Sequence, residues 1–216
     1  MKNIILFDLD GTITDPKVGI TKSVQYALRY FNIDVENLDD LVKFIGPPLR
    51  QSFKSFYGFD DTNVEEAVEK YRERFLEKGI YENVMYDGID TMLKNLKESG
   101  KTLLIASSKP TVQVIKVLEY FSLIDFFTFI SGAELNGERS DKEELILYAF
   151  ENNNIKDLDS CIMVGDRKHD IIGAKSVGID SIGVLHGYGG FDELSEAGAT
   201  HIVKNVAELS SLLYNL

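Results

Sequence analysis

The apolar run Ile4–Phe7, followed at once by Asp8 and Asp10, constrains the fold of this chain more than any other stretch. Four consecutive apolar residues are too few for a typical helix and too continuous for a strand with one exposed face. The run is therefore typical of a strand that is buried on both faces of a parallel sheet. Because ligands of open α/β sheets bind beyond the carboxyl ends of the strands, Asp8 and Asp10 lie where chemistry is expected.

Two carboxylates separated by one residue suggest phosphoryl chemistry. One carboxylate can attack phosphorus to give an aspartyl-phosphate, and a second acid can protonate the leaving alkoxide and later activate water. A hard divalent cation such as Mg²⁺ would relieve the repulsion between the two carboxylates. An isolated D-x-D-G pattern also recurs by chance as an acidic turn in which Gly11 provides a positive φ. The rest of the chain therefore decides between these two interpretations.

The segment from residue 88 onward alternates between strand and helix patterns. Predicted strands at 102–106, 126–130, 161–164, 181–185 and 201–203 alternate with helices at 110–123, 143–153, 170–177 and 206–213. This alternation predicts the α/β class, with a doubly wound, parallel, Rossmann-like sheet and helices on both faces.

The segment from 15 to 86 reads instead as four helices with no strand. Asp8 and Leu103, on the first two predicted strands of the sheet, are 95 positions apart, whereas a βαβ unit takes about 30 residues. We therefore predict a core domain formed by 1–14 and 87–216, with a helical insertion at 15–86 that can fold over the site as a lid.

Composition narrows the choice of partners and compartment. The 23 basic and 35 acidic residues give a net charge of −12, which argues against a nucleic-acid or anionic-membrane partner. No window approaches 18 uninterrupted apolar residues, and the start lacks the pattern of a signal peptide. A single cysteine, Cys161, fits a reducing compartment. We expect a cytoplasmic protein whose partner is a small molecule; the composition leaves monomer and homodimer both open.

Polar residues also follow two later strands. Ser107 and Ser108 end the second predicted strand, where a hydroxyl and backbone N–H groups can bind phosphate, although a helix cap explains them equally well. Asp166 and Asp170 follow the fourth predicted strand and can supply one metal ligand and one orienting carboxylate, although either can also be an N-cap. Lys142 can supply a cation, although most lysines are solvated surface residues.

These motifs together resemble the haloacid dehalogenase superfamily. The resemblance rests on D-L-D-G-T at 8–12, a serine at 107, a lysine at 142 and G-D-R-x-x-D at 165–170, and it covers essentially the whole chain. The helical insertion resembles the C1-type cap of that superfamily. Within the superfamily, the chain looks most like the phosphoglycolate-phosphatase-like and 5′-nucleotidase-like phosphatases.

The resemblance implies roles for the acidic residues. Asp8 would be the nucleophile and Asp10 the general acid and base. Mg²⁺ would be held by a side-chain oxygen of Asp8, the main-chain carbonyl of Asp10, and Asp166. Asp170 would support the waters of the metal.

The resemblance also implies how phosphate is bound. Ser107 would bind the phosphate, with Ser108 and Gly11 beside it, and Lys142 would neutralise the nucleophile and phosphate together. Relatives often show K-P-x-P around this lysine, whereas Lys142 stands in R-S-D-K-E-E. Arg139 therefore remains an alternative for the active-site cation.

The implied activity is Mg²⁺-dependent hydrolysis of a small phosphate monoester, such as phosphoglycolate or a nucleoside 5′-monophosphate. Retention of Asp10 favours phosphate-ester chemistry over the dehalogenase and phosphonatase branches of the family. A phosphomutase of the β-phosphoglucomutase type is an alternative, weakened because no histidine stands near Ile20 in the first helix of the insertion. A receiver-like signalling domain is a more remote alternative, because it would be near half this length. Arg50, in the loop after Gly46, is predicted to bind a second anionic group of the substrate.

Overall fold

The computed structural model describes all 216 residues of the chain, which divides into two compact units. The larger unit comprises Met1–Asp15 and Met85–Leu216, and the smaller one comprises Pro16–Val84. These boundaries lie within two residues of the predicted ones, 14/15 and 86/87. The smaller unit is thus inserted directly after the segment that carries Asp8 and Asp10.

Eight strands are present: β1 (Ile4–Phe7), β2 (Thr14–Asp15), β3 (Val84–Met85), β4 (Thr102–Pro110), β5 (Phe129–Ala133), β6 (Cys161–Gly165), β7 (Asp180–Val184) and β8 (His201–Val203). Six of them form one sheet in the order β5-β4-β1-β6-β7-β8, and β2 and β3 form a separate two-stranded sheet. The strand pairs of the large sheet are parallel. The chain builds outward from β1 in both directions, which confirms the predicted doubly wound α/β fold.

The position of β1 at the centre of the sheet explains its unbroken apolar run. Ile5, Leu6 and Phe7 are each fully buried, because both faces and both edges of the strand are covered. Phe7 is in register with Ile105 on β4 and Val164 on β6. The carboxyl ends of the three central strands therefore lie close together.

Nine α-helices are present: α1 (Lys17–Tyr30), α2 (Leu49–Tyr57), α3 (Asp61–Arg74), α4 (Ile89–Glu98), α5 (Thr111–Tyr120), α6 (Lys142–Asn152), α7 (Lys168–Val177), α8 (Phe191–Ala197) and α9 (Val206–Asn215). On one face of the sheet, Leu6 and Met163 pack in a buried cluster with Leu145 and Ala149 of α6 and Ala174 of α7. This packing fixes α6 and α7, whose first turns carry Lys142 and Asp170, against the sheet. Cys161 is buried in the same cluster, as a core residue.

The smaller unit contains α1, α2 and α3, a 3₁₀-helix at Leu38–Phe44 and a π-helical turn at Phe75–Gly79. The second predicted helix is thus the 3₁₀-helix, a short segment that ends before Gly46-Pro47-Pro48. The π-helical turn packs closely on α1: a Cβ at Gly19 would lie 2.0 Å from the carbonyl oxygen of Gly79. Only glycine permits this approach of the two backbones.

The sequence patterns misplaced several local features. β2 and β3 fall at the edges of a segment predicted to be helical only, and two-residue strands carry no periodicity that could reveal them. β4 extends to Pro110, where a helix was expected to begin, because an irregularity between Ser107 and Pro110 prolongs its pairing with β5. The short helix α8 was not predicted. No helix combines the length and the apolar character needed to cross a membrane.

Candidate active site

The candidate site is formed at the carboxyl ends of β1, β4 and β6. Asp8 directly follows β1, and its backbone N–H donates to the carbonyl oxygen of Val164 at 2.9 Å, which extends the pairing of β1 with β6. Asp166 directly follows β6, and Ser107 lies in the last part of β4. The register of the three strands thus places these residues at one edge of the sheet.

Asp8, Asp166 and Asp170 form a buried acidic cluster, in which one carboxylate oxygen from each lies within 4.8 Å of the others. Their exposed fractions are 4%, 0% and 1%. Burial, together with the nearby carboxylates of Asp170 and Asp8, raises the pKa of Asp166 well above its usual range. Burial also raises the pKa of Asp170, although Lys142 opposes the shift. Ionisation of all three buried carboxylates is therefore unfavourable unless nearby cations offset their negative charge.

Lys142 is the cation that the structure brings to the acidic cluster. Its Nζ lies 3.1 Å from Asp8 Oδ1 and 2.8 Å from Asp170 Oδ1, and it donates to the carbonyl oxygen of Ala106 at 2.7 Å. Although burial disfavours the ammonium form, the carboxylates of Asp170 and Asp8 raise the pKa of Lys142 above its usual value. Lys142 is the first residue of α6, and Asp141 caps that helix by accepting from the N–H of Glu143.

The alternative cation, Arg139, lies elsewhere. It forms an ion pair with Glu134, and its guanidinium lies 3.6 Å from the centre of the Tyr148 ring. The structure therefore brings Lys142, and not Arg139, into contact with Asp8.

Asp10 forms an ion pair with Lys109, a residue that the sequence analysis did not single out. Lys109 Nζ lies 2.6 Å from Asp10 Oδ2, and both side chains are nearly buried. Burial raises the pKa of Asp10, although Lys109 opposes the shift. No sequence pattern pointed to this pair, because β4 is irregular between Ser107 and Pro110 and the regular alternation of strand residues does not hold there.

The two predicted phosphate-binding serines have different surroundings. Ser107 is 2% exposed, and its Oγ accepts a long hydrogen bond of 3.4 Å from the N–H of Lys109. Ser108 instead donates its hydroxyl to the carbonyl oxygen of Ser140 at 2.8 Å, which ties the end of β4 to the segment before α6. Phosphate binding by either serine stays a prediction.

Gly11 lies against Asp166. Its φ is +85°, and a Cβ there would lie 2.2 Å from Asp166 Oδ2. Only glycine therefore fits at this turn. Binding of phosphate by the backbone of Gly11 stays a prediction. The loop after β7 approaches Asp166 as well: the backbone N–H of Tyr188 donates to Asp166 Oδ2 at 2.7 Å. No sequence pattern had pointed to this loop.

Arg50 lies on α2 of the smaller unit and is held there by Glu65 of α3. Its Nε and Nη2 donate to the two oxygens of Glu65 at 2.6 and 2.7 Å, in a bidentate ion pair. The predicted contact between Arg50 and a substrate would require this guanidinium to exchange or share its partner. That contact stays a prediction.

The donor set and the charge of the site fit a hard divalent cation. Asp166 Oδ1 and Asp10 Oδ1 are buried and accept no hydrogen bond, so oxygen atoms are left unsatisfied that a cation could bind. With all four buried carboxylates ionised, the two buried ammonium groups leave two negative charges, the amount that one divalent cation balances. Oxygen ligands without sulfur or imidazole favour Mg²⁺ over softer metals. The carboxylates are those of Asp8, Asp10, Asp166 and Asp170, and the ammonium groups are those of Lys109 and Lys142.

Comparisons with known proteins identify the family of this chain. The family model described as Haloacid dehalogenase-like hydrolase matches residues 5–184. A curated 5′-nucleotidase of Pseudomonas aeruginosa is 46% identical over 209 residues, which cover 97% of this chain and 94% of the relative. The curated tyrosine-protein kinase PtkA of Mycobacterium tuberculosis is 32% identical over 210 residues, which cover 97% of this chain and 70% of the relative.

A solved structure matches the whole chain. The crystal structure of a predicted phosphatase from Clostridium acetobutylicum has a TM-score of 0.98 and 48% sequence identity, with 100% of both chains covered.

Proposed function

This chain belongs to the haloacid dehalogenase-like hydrolase family and is a phosphatase within it, a phosphoric monoester hydrolase; from that premise we propose a substrate, an intermediate and a cofactor. The proposed substrate is a nucleoside 5′-monophosphate or a similarly small phosphate monoester. Hydrolysis would pass through an aspartyl-phosphate on Asp8, with Mg²⁺ as cofactor. The resemblance inferred from the sequence motifs is confirmed by the family match. The observation that carries the proposal is the position of Asp8, a buried carboxylate that contacts Lys142 and has an oxygen within 4.8 Å of carboxylate oxygens of Asp166 and Asp170.

In the first step, a carboxylate oxygen of Asp8 attacks the phosphorus. The new bond between Asp8 and phosphorus forms as the bond between phosphorus and the ester oxygen breaks, and Asp10 donates a proton to the leaving alkoxide. The raised pKa of Asp10 supports this acid role, because a protonated fraction then persists at higher pH.

In the second step, water attacks the phosphorus of the aspartyl-phosphate. Asp10, now ionised, takes the proton of the water, the bond between phosphorus and Asp8 breaks, and inorganic phosphate leaves with the Asp8 carboxylate restored. Lys109, 2.6 Å from Asp10, holds that carboxyl group in place through both proton transfers.

The acidic cluster would hold Mg²⁺ through Asp8 and Asp166, with the Asp10 carbonyl as a further ligand and Asp170 orienting the group. When bound, Mg²⁺ supplies positive charge that offsets the repulsion between the carboxylates and the phosphate. Lys142 adds a fixed cation beside the nucleophile, and Ser107 would bind the phosphate oxygens. The hydroxyl of Ser108 and the backbone N–H of Gly11 would join it only by leaving their present acceptors, the carbonyl oxygens of Ser140 and Thr14.

The substrate class rests on the family and on charge. The 5′-nucleotidase relative favours a nucleoside 5′-monophosphate, with phosphoglycolate as the next candidate. A chain with a net charge of −12 repels anions at long range, so a substrate with few charges beyond its phosphate is favoured. A phosphomutase or kinase would use the same first step and pass the phosphoryl group to a hydroxyl group instead of water.

The test is a panel of phosphate esters assayed with Mg²⁺ for both inorganic phosphate and transferred phosphoryl groups. We expect stoichiometric phosphate release from at least one nucleoside 5′-monophosphate, loss of activity after chelation, and its recovery with added Mg²⁺. Asp8→Asn should reduce kcat by at least about 1000-fold because an amide does not act as the nucleophile, whereas Asp87→Asn, at an exposed position, should change nothing. Full activity without a divalent cation, or phosphoryl transfer without phosphate release, would overturn the proposal.

A further inference from the structure

The loop of residues 186–190 (His-Gly-Tyr-Gly-Gly), which follows β7, closes its backbone over Asp166. A Cβ at Gly187 would lie 2.3 Å from the Cβ of Asp166, and a Cβ at Gly189 would lie 2.0 Å from the carbonyl oxygen of Asp166. Both distances are far shorter than any real contact of a Cβ atom. The 186–190 loop can therefore approach Asp166 this closely only because glycine occupies both positions.

Tyr188, between these glycines, determines which oxygen of Asp166 is left for a cation. Its backbone N–H donates to Asp166 Oδ2 at 2.7 Å, so that oxygen is engaged. The other oxygen, Oδ1, is buried and accepts no hydrogen bond. The orientation of the Asp166 carboxylate thus depends on where the backbone of the 186–190 loop lies.

The side chain of Tyr188 fixes the backbone of the 186–190 loop. Its hydroxyl donates to Asp15, at the end of β2, and also interacts with the phenol of Tyr86. A second anchor comes from His186, whose Nε2 lies 3.1 Å from the carbonyl oxygen of Thr12. With three glycines in five residues, the loop would otherwise sample many backbone conformations. Both contacts are made with residues 12–15, the segment that follows Asp8 and Asp10 along the chain.

We propose that Tyr188 is a positioning residue for the divalent-cation site: its hydroxyl, held by Asp15, keeps its own N–H on Asp166 Oδ2 and thereby directs Oδ1 toward the acidic cluster. The inference rests on the proposed function, because it takes the acidic cluster as the site of Mg²⁺. It adds a residue that touches neither substrate nor metal and acts on metal affinity through a neighbouring carboxylate.

The test measures Mg²⁺ binding to the substrate-free protein by isothermal titration calorimetry. Tyr188→Phe, which removes only the hydroxyl, should raise the Kd for Mg²⁺ by about 3- to 10-fold, the effect of one lost hydrogen bond. At saturating Mg²⁺, kcat should stay within about threefold of wild type, because the ligands themselves are intact. Tyr214→Phe, at an exposed position on α9, is the matched control and should leave the Kd unchanged.

Substitutions of Asp15, the acceptor, test the same hydrogen bond with the Tyr188 hydroxyl. Asp15→Ala should raise the Kd for Mg²⁺ as Tyr188→Phe does, and the double variant should bind Mg²⁺ no more weakly than either single variant. Asp15→Asn keeps an acceptor oxygen, so its Kd should stay near that of the wild type. An unchanged Kd in both Tyr188→Phe and Asp15→Ala, or strictly additive effects, would overturn the inference while leaving the proposed function intact. Absence of Mg²⁺ binding by the wild-type protein would instead remove the proposed function itself.

Discussion

Lys142 links two acids that the chain brings together from distant positions. Its ammonium group contacts both Asp8, after β1, and Asp170, in the first turn of α7. A lysine held by two carboxylates and a backbone carbonyl has little freedom, so its charge is fixed beside the nucleophile before the substrate arrives. Contact with Asp8 distinguishes Lys142 from Arg139, which pairs with Glu134 and lies over the Tyr148 ring.

We predict that Lys142→Met lowers kcat by at least about 100-fold, because the developing charge loses a preorganised cation. Arg139→Met should stay within about threefold, since it loses a half-exposed ion pair. Steady-state assays with p-nitrophenyl phosphate measure both variants, and thermal melts check that each is folded. A large loss in Arg139→Met with little change in Lys142→Met would reverse the two assignments.

At the scale of elements, the 186–190 loop contacts Asp166 through its backbone, and the side chains of Tyr188 and His186 hold that backbone in place. We predict that Gly187→Ala lowers the affinity for Mg²⁺ and kcat/KM by at least about 10-fold, because the added Cβ must displace Asp166 or Gly11. Gly190→Ala is the matched control in the same loop, since a Cβ there meets nothing within 4 Å. Metal titrations and steady-state kinetics compare the pair, and equal behaviour of the two variants would contradict the close packing on Asp166.

The helical unit supplies a second prediction at this scale, through the ion pair between α2 and α3. If Arg50 binds a second anionic group of the substrate, Arg50→Ala should lower kcat/KM for the best doubly anionic substrate by about 10- to 100-fold. Turnover of p-nitrophenyl phosphate should barely change.

The matched control for Arg50 is Arg29→Ala, which removes the exposed ion pair with Asp34 in the same unit. Equal losses on both substrates would indicate damage to the helical unit, because the Arg50–Glu65 pair then acts only in packing α2 on α3. No loss on either substrate would make Arg50 a surface residue.

At the scale of the whole molecule, the sequence predicted the features that depend on local patterns. The D-L-D-G-T motif and the pair of acids after β6 could be placed together because parallel strands bring their carboxyl ends to one edge. The inserted helical unit followed from the distance along the chain between β1 and β4. These inferences needed only periodicity and topology.

The features that could not be predicted depend on contacts between distant segments. The pairing of Lys109 with Asp10 spans 99 positions, and the Arg50–Glu65 pair joins two helices. The 186–190 loop contributes backbone groups, which carry no signature in residue chemistry beyond its glycines. Tertiary packing decides all three.

The central claim is that catalysis passes through an aspartyl-phosphate on Asp8. Its most direct test is to quench the enzyme during turnover of a good substrate, reduce the acyl-phosphate with borohydride, and map the modified residue by mass spectrometry. We expect conversion of Asp8 to homoserine, dependent on substrate and Mg²⁺, with Asp10, Asp166 and Asp170 unmodified. Modification of a different residue, or none at Asp8 under conditions where turnover is rapid and the intermediate accumulates, would contradict it.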